Sequence, residues 1–203
     1  MNEILDILQN IDVQALDFIR SFVDPNSSLQ VSLIKIFSDI EVLLAPLFLI
    51  MLWFFGIYKK DYEYKKKALM IFYSIAFCFV IYVIINQFLP VRPRPELFSK
   101  FPPLIDHLPD NSFPSGHAIF MASSCLAFGL FLKNKLITFT LFLTGTLMLL
   151  SRIASGVHYP GDILVGLFVG IVFFTIFYGF RNNKIFEKYL LKYPILIAKK
   201  LKL

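Results

Sequence analysis

Residues 68–88 read ALMIFYSIAFCFVIYVIINQF, an uncharged run of 21 residues preceded by Lys65-Lys66-Lys67 and followed by Leu89-Pro90. The hydrocarbon core of a bilayer is about 30 Å thick, and roughly 17–25 mostly apolar residues cross it as a helix. Inside lipid the backbone must satisfy its own hydrogen bonds, so this run reads as a spanning helix. Four further segments repeat the pattern: Val42 to Tyr58, Pro114 to Leu132, Leu136 to Ile153 and Asp162 to Phe180. The run from Leu136 is interrupted by Thr138, Thr140, Thr144, Gly145 and Thr146, small residues of the kind that let membrane helices approach closely. The expected fold is an all-α, polytopic membrane helix bundle of about five transmembrane helices.

Composition agrees with that reading. The 203 residues are 57% hydrophobic, with 24 Phe and only 17% charged residues, and the mean hydropathy is +0.69. A soluble domain carries roughly 45–50% apolar and about 25% charged residues. A disordered chain and a disulfide-rich secreted module are disfavoured. Cys78 and Cys125 lie inside apolar runs without metal or pairing spacing, and read as small buried hydrophobes. Met1-Asn2-Glu3 is acidic, with no long apolar stretch behind it, and does not read as a cleavable signal peptide.

Residues 1–41 differ from the rest. Ile4, Leu5, Ile7, Leu8, Ile11, Val13, Leu16, Phe18, Ile19 and Phe22 recur at roughly helical spacing, with Asp and Glu between them. That pattern predicts one or two amphipathic helices in the interface, broken at Asp24-Pro25-Asn26-Ser27. A span between Leu29 and Leu43 is the alternative, opposed by Lys35, Asp39 and Glu41. The expected organisation is one domain: interfacial residues 1–41, a transmembrane core 42–180 with the site, and a basic tail 181–203.

The net charge of +6 is unevenly spread. Residues 1–41 hold seven acidic residues against Arg20 and Lys35, whereas residues 181–203 hold seven basic residues against Glu187. Lysines also follow the first span (Lys59, Lys60, Lys65, Lys66, Lys67) and the third (Lys133, Lys135). By the positive-inside rule those loops and the C-terminus are expected in the cytoplasm, with the N-terminus outside. The tail reads either as an amphipathic segment on anionic headgroups or as a solvated topogenic tail. The excess charge therefore describes topology, and nucleic acid is not an expected partner.

This topology brings the second-to-third and fourth-to-fifth loops to one outer face. They carry Arg92-Pro93-Arg94-Pro95, Phe113-Pro114-Ser115-Gly116-His117, Ser151-Arg152, His158 and Asp162. Ionisable groups at membrane helix ends are costly, and by default they mark function. Arg94 and Arg152 offer planar forks of donors suited to phosphoryl oxygens. Pro114 reads as a first helical residue, so that N–H groups near Ser115 and Gly116 face an anion at the helix end. Asp162, four residues after His158, can hold its imidazole tautomer and stabilise the charge that develops on nucleophilic attack. His117 lacks such a neighbour and is the candidate general acid. No Cys/His or carboxylate cluster accompanies these residues, so neither a catalytic metal nor a cofactor is expected. Taken singly, RPRP is equally a rigid turn, PSGH a plain helix start, and the His–Asp pair a structural hydrogen bond. His107 reads as an exposed loop residue, Asp110-Asn111-Ser112 as shaping the helix start, and Tyr159 as an interfacial anchor.

Arg94-Pro95, Pro114-Ser115-Gly116-His117 and Ser151-Arg152-x5-His158-x3-Asp162 together resemble the three-part signature of the type-2 phosphatidic acid phosphatase superfamily. The resemblance implies a metal-independent phosphatase working through a phosphohistidine. His158 would be the nucleophile, Asp162 its partner and His117 the acid, with Arg94, Arg152, Ser115 and Gly116 binding phosphate. The signature's leading lysine is replaced by Gln87, which keeps a donor but no charge, and Arg92 stands ready as a substitute. Size, the amphipathic N-terminal region and the His-Tyr-Pro-x-Asp segment are most similar to the undecaprenyl-diphosphate phosphatase branch, although Gly116 stands where that branch more often has Asp. The resemblance implies hydrolysis of undecaprenyl diphosphate at the outer face of a bacterial inner membrane. Phosphatidylglycerophosphate, phosphatidic acid and lipid A 1-phosphate are the alternative substrates, and a non-catalytic lipid-phosphate binding or transport protein is the alternative of another class.

Overall fold

The computed structural model describes residues 2–106 and 111–201. Among them the only regular structure is helical. Helix α1 spans Asn2–Arg20, α2 Ser28–Phe37, α3 Ile40–Tyr58, α4 Tyr62–Asn86, α5 Gly116–Ala127, α6 Lys135–Ala154 and α7 Pro160–Gly179. Helices α3, α4, α6 and α7 are long and apolar enough to cross a membrane. The fifth expected span is shorter: α5 runs on through a π-helical turn, Phe128–Leu132, to give 17 residues, or about 25 Å of helix.

Local chemistry sets these ends. Asp61 accepts the Glu63 N–H at 2.8 Å and caps α4, so that helix starts at Tyr62 and draws Lys65 to Lys67 into its first turns rather than leaving them in a loop. Lys133 adopts a left-handed conformation (φ 58°), and Asn134 then caps α6 by accepting the Ile137 N–H at 3.1 Å. Pro114 is not the first residue of α5. It follows a cis peptide bond with Phe113, and Ser115 is held outside the helix by donating its N–H to the Asp162 carbonyl at 3.1 Å.

Helix α5 is buried on most of its circumference, through Ala118, Ile119, Met121, Ala122, Ser123, Ser124 and Ala127. Helix α3 turns Leu43, Ile50, Met51 and Phe54 outward, as a helix at the lipid boundary does. Close packing joins α5 to α7. A Cβ added at Gly166 would stand 2.6 Å from the Ser115 carbonyl oxygen and 2.8 Å from Ala118 Cβ, and one at Gly170 would stand 2.9 Å from the Ile119 carbonyl oxygen. This glycine pair, four residues apart, lets the two backbones meet. Of the small residues in α6, Gly145 makes the corresponding contact, against Glu41 and Met121. The hydroxyls of Thr138, Thr144 and Thr146 bond to carbonyls of their own chain four residues back.

The break at Asp24 to Ser27 falls where the sequence puts it, with Ser27 capping α2. Helix α1 is docked on the bundle by both apolar and polar side chains. Leu16 is fully buried, Arg20 donates to the carbonyls of Ala154 and Pro102, and Asp17 accepts from Ser99 at 2.7 Å. Ile7, Leu8, Ile11, Phe18 and Phe22 face outward. At the far end the tail folds as helix α8, Lys184–Phe186, a π-helical stretch, Glu187–Lys192, and helix α9, Tyr193–Lys200. Leu191 packs with Met70 and Phe177, and Lys66 pairs with Glu187 at 3.2 Å, so the tail is attached to the bundle. Cys78 and Cys125 are both free thiols.

Candidate active site

Alternating helix directions bring the N-termini of α3, α5 and α7 and the C-termini of α4 and α6 to one end of the bundle. There a cavity of about 480 Å³ is lined by Arg94, Arg152, His117, His158, Gly116, Asn111 and Asp39, and on its apolar side by Val42, Phe79, Tyr82 and Phe120. Arg152 comes from the last turn of α6. Beyond α6, Gly156 takes φ +79°, a conformation that costs glycine little, and the turn there carries the chain to Val157 and His158. The Val157 carbonyl accepts from Arg94 Nη1 at 2.6 Å, fixing that guanidinium at the cavity wall.

His158 is buried. Its Nδ1 lies 3.0 Å from the Ser112 carbonyl. A carbonyl can only accept, so Nδ1 carries the proton and the neutral ring keeps its lone pair on Nε2. Burial pushes the imidazole down to about 4, with the Arg94 and Arg152 charges adding to the effect and Asp162 opposing it. The ring is therefore neutral at pH 7.

Asp162 stands 3.6 Å from His158 Nδ1, farther than the Ser112 carbonyl. Its Oδ2 accepts from Ser112 Oγ and from the Tyr159 N–H at 3.0 Å, and its Oδ1 pairs with Arg92 Nη1 at 2.6 Å. The carboxylate thus clamps the loop whose carbonyl orients His158, in addition to facing the ring itself.

Arg92 departs from its expected phosphate-binding role. It lies behind the cavity, bridging Asp162 and Asp12 (2.7 Å) with its guanidinium 4.2 Å from the centre of the Tyr159 ring. Asp12 also accepts the Gly161 N–H at 2.8 Å. Gln87 caps the end of α4, is exposed and does not line the cavity. Ser115 is also set back: its N–H is given to Asp162, and its buried Oγ has no hydrogen-bond partner among the described residues. Gly116 and His117 begin α5 at the cavity wall, and a Cβ on Gly116 would stand 3.1 Å from the Tyr82 ring. His107 and Asp110 lie outside the described residues.

Three contributors lacked a sequence signal. Asp39, between α2 and α3, meets His117 Nε2 at 2.9 Å and Arg152 Nη1 at 3.7 Å. The His117 hydrogen bond holds its carboxyl below the usual range, assisted by Arg152 and opposed by partial burial. Asp12 and the Ser112 carbonyl are the others. Among the described residues no group of three His, Cys, Asp or Glu side chains is placed to hold a metal ion.

The arrangement offers a neutral imidazole, a second histidine and two guanidinium groups around one polar pocket with an apolar wall. The solved structure of Aquifex aeolicus LpxE is similar, with a TM-score of 0.65 and 25% identity over 82% of this chain and 93% of that one. Undecaprenyl-diphosphatase BcrC of Bacillus subtilis (strain 168) is 28% identical over 152 residues, which are 74% of this chain and 75% of that protein. Phosphatidylglycerophosphatase B of Haemophilus influenzae is 38% identical over 81 residues, about a third of each chain. Residues 67–186 match the PAP2 superfamily, and they include the cavity's two histidines and two arginines; the chain belongs to that superfamily of phosphatases.

Proposed function

We propose that this protein is a metal-independent lipid phosphatase acting through a phosphohistidine, and that it hydrolyses undecaprenyl diphosphate to undecaprenyl phosphate and phosphate. The observation that carries the proposal is the neutral, buried His158, with Nδ1 committed to the Ser112 carbonyl and the ring at the cavity wall beside Arg94 and Arg152. Nε2 attacks the terminal phosphorus, the bond to the bridging oxygen breaks, and His117 protonates the departing lipid phosphate. The two arginines stabilise charge on the transferring group. Water then attacks the phosphohistidine with His117 as base, releasing phosphate and restoring His158. Asp162 offsets the charge on the imidazole during the attack. The apolar wall of Val42, Phe79, Tyr82 and Phe120 gives the first isoprene units a place beside the headgroup. Similarity to BcrC favours the diphosphate over glycerolipid and lipid A substrates.

The test is phosphate release by the purified full chain from undecaprenyl diphosphate, phosphatidylglycerophosphate, phosphatidic acid and lipid A 1-phosphate. The highest kcat/KM is expected for the first, and preference for another lipid would overturn the substrate assignment. Activity should survive EDTA and vanish in His158→Ala, and His117→Ala should lose about 10²–10⁴-fold. Because the free base is needed and His158 titrates at about 4, kcat/KM should hold through pH 6 and fall only near pH 4. Lipid-phosphate binding without turnover would mark a carrier instead.

A further inference from the structure

Among the described residues, the polar end of the cavity contains one carboxylate beside its cationic and imidazole groups. Asp39 Oδ1 sits 2.9 Å from His117 Nε2 and 3.7 Å from Arg152 Nη1. Those atoms belong to the two groups that, on the proposed reading, face the phosphoryl oxygens and the leaving oxygen. A carboxylate oxygen accepts hydrogen bonds in the same geometry as a phosphoryl oxygen. With Asp39 in place, His117 Nε2 cannot serve a substrate. Yet the residue is loosely held. Its side chain is 58% exposed, it lies in the turn between α2 and α3, and it makes no side-chain cap to α3. A second cavity of about 320 Å³, lined by Lys35, Ser38, Asp106 and Arg152, opens beside it and gives the carboxylate room to swing.

We propose that Asp39 is an internal anion that occupies a phosphoryl-oxygen position between His117 and Arg152 in the empty site and is expelled when a phosphate group binds. It is thus a determinant of affinity, weakening substrate binding and hastening release of product phosphate. The proposal rests on reading this cavity as a phosphate site. A contact that must open before binding lowers apparent affinity by the fraction of time the site is open, so a carboxylate in place about nine-tenths of the time costs about tenfold.

The experiment measures binding of inorganic phosphate to the full chain in lipid nanodiscs by calorimetry, alongside turnover, for wild type, Asp39→Asn and Asp106→Asn. Asp106 is the control because it shares the second cavity with Arg152, whereas His117 Nε2 bonds to Asp39. Asp39→Asn should bind phosphate about tenfold more tightly, with KM lowered to match, while Asp106→Asn changes phosphate affinity less than twofold. An unchanged phosphate Kd in Asp39→Asn would overturn the proposal. So would an equal gain in Asp106→Asn, which would indicate general charge removal, or a fall in kcat at constant KM, which would make Asp39 a positioning partner of the acid. Tighter phosphate binding in a protein that turns over none of the lipids would instead count against the phosphatase reading alone.

Discussion

Arg92 illustrates how a correct residue type can carry the wrong job. In the sequence it lies two residues before Arg94 and looks like a second phosphate donor. In the structure its forked guanidinium is used up between Asp162 and Asp12. Asp162 is fully buried, and leaving such a charge without its partner typically costs about 3–5 kcal/mol. Arg92→Ala should therefore lower the thermal unfolding midpoint and kcat together, and Arg92→Lys should rescue only part, since an ammonium cannot bridge two carboxylates with a planar fork. Wild-type stability with a raised KM would return Arg92 to the phosphate. That His158, His117, Arg94 and Arg152 lie at one end of the bundle is legible because the two loops that carry them fall on the same side of the spans, although each residue taken singly has a bland reading. The places of Asp12 and Asp39 are not, since their partners lie 80 and 78 residues away in the chain. A backbone carbonyl such as that of Ser112 carries no sequence signal at all.

At the scale of helices, hydropathy locates the spans and capping sets their ends. The interior of α4 follows from its apolar run, whereas its start at Tyr62 follows from Asp61. The shortening of α5 follows from a backbone bond between Ser115 and Asp162 that ties the residue before α5 to the first turn of α7. That bond lies at the top of the α5–α7 contact, where Gly166 faces Ser115 and Ala118. The same contact therefore sets His117, on α5, relative to Asp162, on α7. Gly166→Leu inserts a side chain where even a Cβ stands 2.6 Å from a carbonyl oxygen. Overpacking of this kind costs about 1–3 kcal/mol, and here it displaces the start of α5 as well. The expected result is a lowered unfolding midpoint with activity reduced at least tenfold, a loss out of proportion to the fraction of protein still folded. Gly179, which has no neighbour within 4 Å of an added Cβ, is the control position. A Gly166→Leu enzyme as active and stable as Gly179→Leu would refute this account of the packing.

The whole molecule is polar from end to end. One end holds the cavity and helix α1, whose outward face is Ile7, Leu8, Ile11 and Phe18 while Asp12, Asp17 and Arg20 bind the bundle. An apolar face turned away from the protein is what an interfacial helix presents to lipid. The opposite end carries Lys59 and Lys60, Lys133 and Lys135, and the packed basic tail. The positive-inside rule predicts that the cavity faces outward. On the proposed reading, a lipid diphosphate in the outer leaflet would then meet the cavity without crossing the membrane. Single cysteines distinguish the two orientations, because Cys78 is buried and Cys125 half-buried within the bundle. In intact bacterial spheroplasts a membrane-impermeant maleimide should label Asn26→Cys, ahead of the first span, and should reach Asn182→Cys, beyond the last, only after lysis. Both positions are exposed. The reverse pattern would put the arginines and histidines in the cytoplasm, and an enzyme so oriented would have to take its lipid phosphate from the inner leaflet.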